Sequence, residues 1–142
     1  MEQARLVRTA RFRARHHYHN PAWTAEENAR VFGLQGVSHE HDWRVVVHVV
    51  GPVDQATGWC CDLGPLDRAL ERLLRGWDGG DLNVVIPEVA AGTLRPSTEN
   101  LAQWMYMGLR DSVREPVTLV KVEVHESETL GAVYPVGSGG FT

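Results

Sequence analysis

Cysteine is nearly absent from this chain of 142 residues: there are two, Cys60 and Cys61, and they are adjacent. Neighbours on a strand point to opposite faces, so the pair is not expected to form a disulfide, and a reducing compartment fits. Also missing is any apolar run near the roughly 20 residues that span a bilayer, and the N-terminus is arginine-rich without a hydrophobic signal core. A soluble, cytoplasmic protein with no membrane partner is the expectation. There is no surplus of positive charge either, since the net charge is -4. The arginines cluster only between Arg5 and Arg15, where they alternate with other residues as on the outer face of a strand, which argues against a nucleic-acid partner. No internal repeat, linker or low-complexity block interrupts the chain, and its length suits one domain over residues 1–142.

What is present begins with a period of two. Phe12, Ala14 and His16 share one face while Arg11, Arg13 and Arg15 share the other, which predicts a half-exposed strand with His16 pointing inward. The stretch from Asn20 to Gly36 has no clean period and reads as an irregular excursion. His39 to Val50 is rich in β-formers and ends at Gly51-Pro52; a turn then leads to a short apolar strand, Trp59 to Leu63, as the second arm of a hairpin. Leu66, Ala69, Leu70, Leu73, Leu74 and Trp77 recur at helical spacing, which predicts an amphipathic helix from Pro65 to about Arg75, stopped by Gly76 and Gly79-Gly80. Ser97 is placed to cap a second helix carrying Leu101, Trp104, Met105 and Leu109, closed by Pro116. Val117 to Glu126 alternates again, with Val120, Val122 and Val124 on one face and Leu119, Lys121, Glu123 and His125 on the other; the glycine-rich tail after Tyr134 reads as loose. Strands, then two helices, then a strand argue for an α+β fold with a helix pair on one face of an antiparallel sheet.

His39 and His41 stand two apart on a predicted strand, so both imidazoles point to one side and suit a single tetrahedral zinc. Such a pair alone is more often two surface histidines than a ligand set. His16, at the inward-facing end of another strand, is the natural third ligand, and three protein ligands leave a fourth position for water or substrate.

Beyond the histidines, several blocks follow one another: Phe12-Arg13-Ala14-Arg15-His16, His39-Glu40-His41, Gly58-Trp59-Cys60-Cys61-Asp62-Leu63, Asp78 with Leu82-Asn83, Pro96-Ser97-Thr98-Glu99-Asn100-Leu101-Ala102, and Glu126 eight residues before Tyr134. In that order they resemble the 6-pyruvoyl-tetrahydropterin synthase and 6-carboxy-tetrahydropterin synthase family over roughly residues 8 to 134. The resemblance implies a tunnelling fold: a four-stranded antiparallel sheet with two helices on one face. It further implies that three subunits close their sheets into a barrel, that two trimers stack into a homohexamer, and that the active sites lie between subunits. It implies Zn²⁺ on His16, His39 and His41, Glu126 as the anchor for the guanidine-like edge of a pterin, and Ser97 and Thr98 beside the same ring.

The same resemblance exposes departures. The family's cysteine falls at Gln35 or Gly33, and the histidine of its Asp-His pair falls at Gly79, while Asp78 is retained. A subgroup that replaces the cysteine by glutamate cleaves a carbon–carbon bond, yet no acid stands at those places; Glu26 and Glu27 lie too far back. The spacer of the histidine pair is Glu40 instead of the usual glycine. Cys60 and Cys61 fall where aliphatic residues pack and read as small hydrophobes. The implied activity is a zinc-dependent lyase or cyclase acting on a small pterin-like or other oxygenated substrate, with Asp78 and Glu126 as the catalytic carboxylates. The alternatives are an inert zinc- and ligand-binding member, or pterin synthase or aldolase activity through substituted residues. Other groups near the metal by sequence are His17, His19, Asp42 and His125.

Overall fold

The computed structural model describes residues 2–137. Two long strands form its spine: β1 (Gln3–His16) and β2 (His39–Pro52) pair antiparallel over their whole lengths, from Gln3 opposite Pro52 to His16 opposite His39. The expected alternation of β1 is present, with Phe12, Ala14 and His16 buried and the odd-numbered residues exposed. On β2, Trp43, Val45, Val47 and Val49 enter the same core.

The excursion between these strands contains a helix, α1 (Ala25–Phe32), capped by the Thr24 hydroxyl, and a short 3₁₀ turn at Gly33–Gly36. The buried Asn28 amide replaces the missing strand contacts by donating to the carbonyls of Asn20 and Thr24, both at 3.0 Å. After β2 the expected strand Trp59 to Leu63 does not form. Its chain is held to the preceding turn by Asp54 N–H donating to the Trp59 carbonyl, and then Asp62 accepts from Gly64 N–H and Pro65 offers no N–H, so the segment turns into a helix instead of laddering.

That helix, α2 (Gly64–Leu73), and α5 (Thr98–Leu109) are the two helices expected from periodicity, and Ser97 caps the second by accepting from Asn100 N–H at 3.1 Å. Leu66, Ala69 and Leu70 of α2 and Leu101, Ala102, Met105 and Leu109 of α5 pack onto the same sheet face. Between them lie β3 (Gly80–Asp81) and two single turns of helix, α3 (Leu82–Val85) and α4 (Pro87–Ala90). β4 (Thr118–His125) and β5 (Gly131–Tyr134) complete the sheet.

The order is β3-β1-β2-β4-β5, five strands in place of the four expected, and β3 runs parallel to β1. Strands of two and four residues are too short to produce a readable period, which is why β3 and β5 escape the sequence. A register shift opposite His48 and Val49 is the second correction: Val49 pairs with Leu119 and His48 with Lys121, leaving Val120 as the extra residue. The bulge turns Leu119 into the core beside Val122 and Val124 and puts Val120 outside the pattern. Cys60 is buried and Cys61 half-buried, both as free thiols. No helix among the described residues is long and apolar enough to cross a membrane. Residues 138–142 of the glycine-rich tail lie outside the described residues.

Candidate metal centre

The antiparallel register places His16 opposite His39 and Ala14 opposite His41, so three imidazoles emerge at one end of the spine on the helix-bearing face. Trp43 forms the floor. Its indole stacks on Phe12, donates to the Ala14 carbonyl at 3.1 Å, and meets the His16 ring edge-on at a centroid distance of 4.8 Å. Alanine at position 14 leaves the space across the strand pair open for His41.

The three rings pack edge to face, with centroids 4.5, 5.1 and 4.9 Å apart, and one nitrogen of each lies within 4.8 Å of the others. The distal nitrogens are fixed. A carbonyl only accepts, so His16 Nδ1 carries its proton toward the Pro96 carbonyl at 2.9 Å and His39 Nδ1 toward the Val37 carbonyl at 2.7 Å. In the neutral tautomer that this fixes, each of these rings presents the lone pair of Nε2 inward. Burial holds the His16 imidazole down to about pH 4, against the Pro96 contact that opposes it, so the ring is neutral at neutral pH. His16, His39 and His41 Nε2 are all buried without a hydrogen-bond partner, and so is one carboxylate oxygen of Glu126. Orphaned buried nitrogens are rare in folded proteins. Three of them converging, with backbone carbonyls orienting two of the rings from behind, are the donor set of a borderline-soft divalent ion such as zinc, and the residues fit that ion.

Glu126 follows the last residue of β4, in the turn where its N–H donates to the Leu130 carbonyl at 3.1 Å. Its side chain is only 13% exposed, and Oε2 stands 3.5 Å from His16 Nε2 and 3.4 Å from His41 Nε2. From the triad the carboxylate borders a groove of about 540 Å³ that is also lined by Tyr18, Phe32, Gln35, Thr98 and Glu99. The Thr98 hydroxyl is buried and donates to Glu99 at 2.8 Å. Burial, reinforced by Glu126 and Glu99, pushes the Tyr18 phenol up to about 12, which keeps it a neutral hydrogen-bond donor. Phe32 stacks between Tyr18 and Trp23, with centroids 5.5 and 5.6 Å apart, and gives the groove a flat aromatic wall.

Of the residues singled out from sequence, the structure brings together His16, His39, His41, Glu126 and Thr98. Ser97 is adjacent, with its hydroxyl occupied by the helix cap. Asp78 lies elsewhere: its exposed carboxylate accepts from Arg13 N–H at 3.0 Å, on the edge of β1. Asp42 is 83% exposed beside Arg13, and His19 is exposed. His17 is tied through its backbone to Asn83, which accepts from His17 N–H and donates to its carbonyl, so the Leu-Asn motif fixes the chain as it leaves His16. His125 belongs to the helix-free face, where it and His48 share the Glu123 carboxylate. The thiols border a hollow with Ala4 and Leu6. Leu6 is ten positions along β1 from His16, roughly 30 Å at about 3.3 Å per residue, so neither cysteine reaches the triad.

Tyr18 and Glu99 are groove residues that sequence reasoning passed over. Tyr18 carries a signal, since it continues the inward parity of Phe12, Ala14 and His16; Glu99 sits inside the Ser97-Thr98-Glu99-Asn100 run, where nothing in the sequence sets it apart from its neighbours. Gln35, which offers no thiol, stands on the groove, and its carbonyl accepts from Tyr18 N–H at 2.9 Å.

Residues 5–136 match the family model for 6-pyruvoyl tetrahydropterin synthase. The 6-pyruvoyl tetrahydrobiopterin synthase of Drosophila melanogaster is 34% identical over 126 residues, covering 86% of this chain and 73% of that protein. The Homo sapiens protein of the same name is 31% identical over 135 residues, covering 93% and 91%. Among solved structures, the Caenorhabditis elegans 6-pyruvoyl tetrahydropterin synthase superposes with a TM-score of 0.83 at 26% identity, covering 94% of this chain and 96% of that one. With an α+β tunnelling fold and a family match that spans nearly its whole length, the chain belongs to the 6-pyruvoyl tetrahydropterin synthase family.

Proposed function

We propose that the chain is a zinc-dependent lyase or cyclase that acts on a pterin-like substrate with a non-standard acid/base set. The observation that carries this reading is the convergence of three partnerless imidazole nitrogens beside a buried carboxylate, Glu126, which itself borders a groove with an aromatic wall. His16, His39 and His41 hold the ion, which when bound polarises a substrate oxygen or lowers the pKa of a water. Glu126 accepts two adjacent N–H donors from the guanidine-like edge of the ring, a bidentate geometry that fixes orientation. Thr98 and the backbone at Ser97 border that edge, and Phe32 with Tyr18 supports the ring plane. Gln35 and Gly79 hold no titratable side chain, so proton transfer falls to the carboxylates, Glu126 in the groove and Asp78 on the β1 edge.

Asp78 reaches a groove only if another copy supplies it, which fits a homohexamer built as a dimer of trimers. The exposed β1 edge and the helix-free sheet face of each copy support that assembly. A cytoplasmic location accords with two free thiols.

A second reading has support in the same two positions: without thiol and imidazole, the chain binds zinc and pterin but turns nothing over. A third keeps ordinary synthase or aldolase activity through substituted groups. Zinc-loaded protein incubated with dihydroneopterin triphosphate separates them. Release of triphosphate or of an aldehyde supports catalysis on pterins. Tight binding without products favours the inert reading, and neither binding nor turnover removes pterin as the ligand.

A further inference from the structure

On the sheet face that carries no helix, residues opposite one another fall into rows across β1, β2 and β4. One row is Arg13 with Asp42, the next Arg11, Arg44 and His125, and the next Thr9, Val46 and Glu123. The acids around the middle row are already engaged. Glu40 lies 2.7 Å and Asp42 3.7 Å from the Arg13 guanidinium. Glu123 accepts from His48 at 2.5 Å and from His125 at 2.8 Å, one oxygen to each ring. Gly131 stands opposite His125 on β5, and a Cβ there would strike the His125 ring. The ring therefore leans over β5, away from the strand that carries Arg44.

Arg11 and Arg44 are left facing each other without an acid. Among the described residues neither has a carboxylate within 4.0 Å. Like charges directly opposite on one sheet face have Cβ atoms about 4.5–5.5 Å apart and destabilise the pairing. Arg11 is exposed, whereas Arg44 is half-buried and its Nε is enclosed with no hydrogen-bond partner. A buried charged donor left unpaired is unfavourable, so the pair calls for an acceptor that this chain does not supply.

We infer that Arg11 and Arg44 together bind a phosphate-type oxyanion on the helix-free face, on the opposite side of the sheet from the histidine triad. Two guanidinium forks present paired N–H donors that match the oxygens of a tetrahedral phosphate, and an anion between them turns their repulsion into attraction. The neighbouring rows confine it, because Arg13 is neutralised by its own two acids on one side and the Glu123 carboxylate repels an anion on the other. This site does not depend on the zinc and pterin reading.

Calorimetric titration of inorganic triphosphate into full-length protein tests the inference, with the metal stripped so that the histidine triad holds no ion to attract the anion. An ionic strength of about 0.1 M screens charges more than about 10 Å apart. Saturable binding is expected for the wild type, and binding at least about tenfold weaker for Arg11→Gln and for Arg44→Gln, about 1.4 kcal/mol each. Arg5→Gln removes the same charge from the same face, roughly 20 Å along β1 at about 3.3 Å per residue, and is expected to bind as the wild type does. Without anion, both row variants are expected to melt no lower than the wild type, since the repulsion is relieved; this separates loss of a ligand contact from loss of the fold. Adenosine triphosphate as a second titrant distinguishes a free polyphosphate from one carried on an organic group, and the tighter binder names the source. No binding of either titrant by the wild type overturns the inference. An equal loss of affinity in Arg5→Gln overturns it too, because the binding then belongs to net charge and not to the pair.

Discussion

His16 is wholly buried, yet it is an imidazole, and its burial makes a measurable link between pH and folding. In the unfolded chain it titrates near 6.5; in the folded protein burial, opposed by the Pro96 carbonyl, lowers it to about 4. As pH falls below 6.5 the unfolded chain takes up a proton that the folded one refuses, so stability is complete above 6.5 and declines toward 4, where the native ring protonates too. The gap corresponds to about 3 kcal/mol at about 1.36 kcal/mol for each factor of ten, of which about 2.5 kcal/mol is already lost at pH 4.5. Urea unfolding of metal-stripped protein, at fixed protein concentration between pH 7.5 and 4.5, measures the decline. His16→Asn removes the titration, and its stability should change by about 2.5 kcal/mol less over the same range, whatever its loss at neutral pH. Carboxylates elsewhere titrate identically in both proteins and cancel. If the two proteins lose stability in parallel, the ring is not held neutral by its surroundings, and its readiness to donate a lone pair is refuted with it.

His39→Ala should abolish stoichiometric zinc binding, read by elemental analysis after gel filtration, while leaving the circular dichroism spectrum unchanged, because the ring stands at the strand end on the rim of the core. Glu123→Gln should lower stability at neutral pH by about 2 kcal/mol, since the carboxylate accepts from both His125 and His48. Burial acts to raise the Glu123 pKa, but those two hydrogen bonds outweigh it and leave it below the usual 4.5. The deficit of the variant should therefore be full above pH 4.5 and shrink as pH falls below it; a deficit that persists undiminished in acid would assign the loss to packing. Ser97→Ala should cost about 1 kcal/mol in thermal unfolding by leaving the Asn100 N–H in the first turn of α5 without its cap.

Legibility in this chain followed length and parity. β1, β2, α2 and α5 each run for ten or more residues, long enough for the period of the pattern to identify the element. β3, β5 and the single-turn helices α3 and α4 are no longer than four residues, shorter than any period that distinguishes them. α1 was hidden for another reason: its buried residue is a polar one, Asn28, whose role is to bond backbone carbonyls, so hydrophobic periodicity had nothing to report. The bulge at Val120 is a property of pairing between strands, and one strand's alternation cannot announce it. The histidine triad was legible because strand parity is rigid: an inward residue at 12 fixes 14 and 16, and a pair at 39 and 41 shares one face. Glu126 lies past the end of β4 in a turn, where parity no longer determines direction, and only the family pattern pointed to it.

Gly79 and Gln35, the two positions where the family resemblance leads one to expect an imidazole and a thiol, differ in kind. Gly79 has φ of +75°, donates its N–H to the Arg13 carbonyl at 2.7 Å, and is followed by Gly80, where a Cβ would strike the Gly76 carbonyl. A side chain at 79 meets no atom within 4 Å, yet it requires a left-handed backbone that costs an ordinary residue about 1–2 kcal/mol. The loop at Gly79 and Gly80 is thus built on close backbone approach, and Asp78 spends its carboxylate on the Arg13 amide of the same edge. Gln35 is the opposite case: its backbone serves Tyr18, while its side chain is free and exposed on the groove. A side chain at 79 is therefore opposed by the main chain, whereas the side chain at 35 can change without moving the backbone. With no titratable side chain at 35 or 79, the titratable group that stands both against the imidazoles and on the groove is the Glu126 carboxylate.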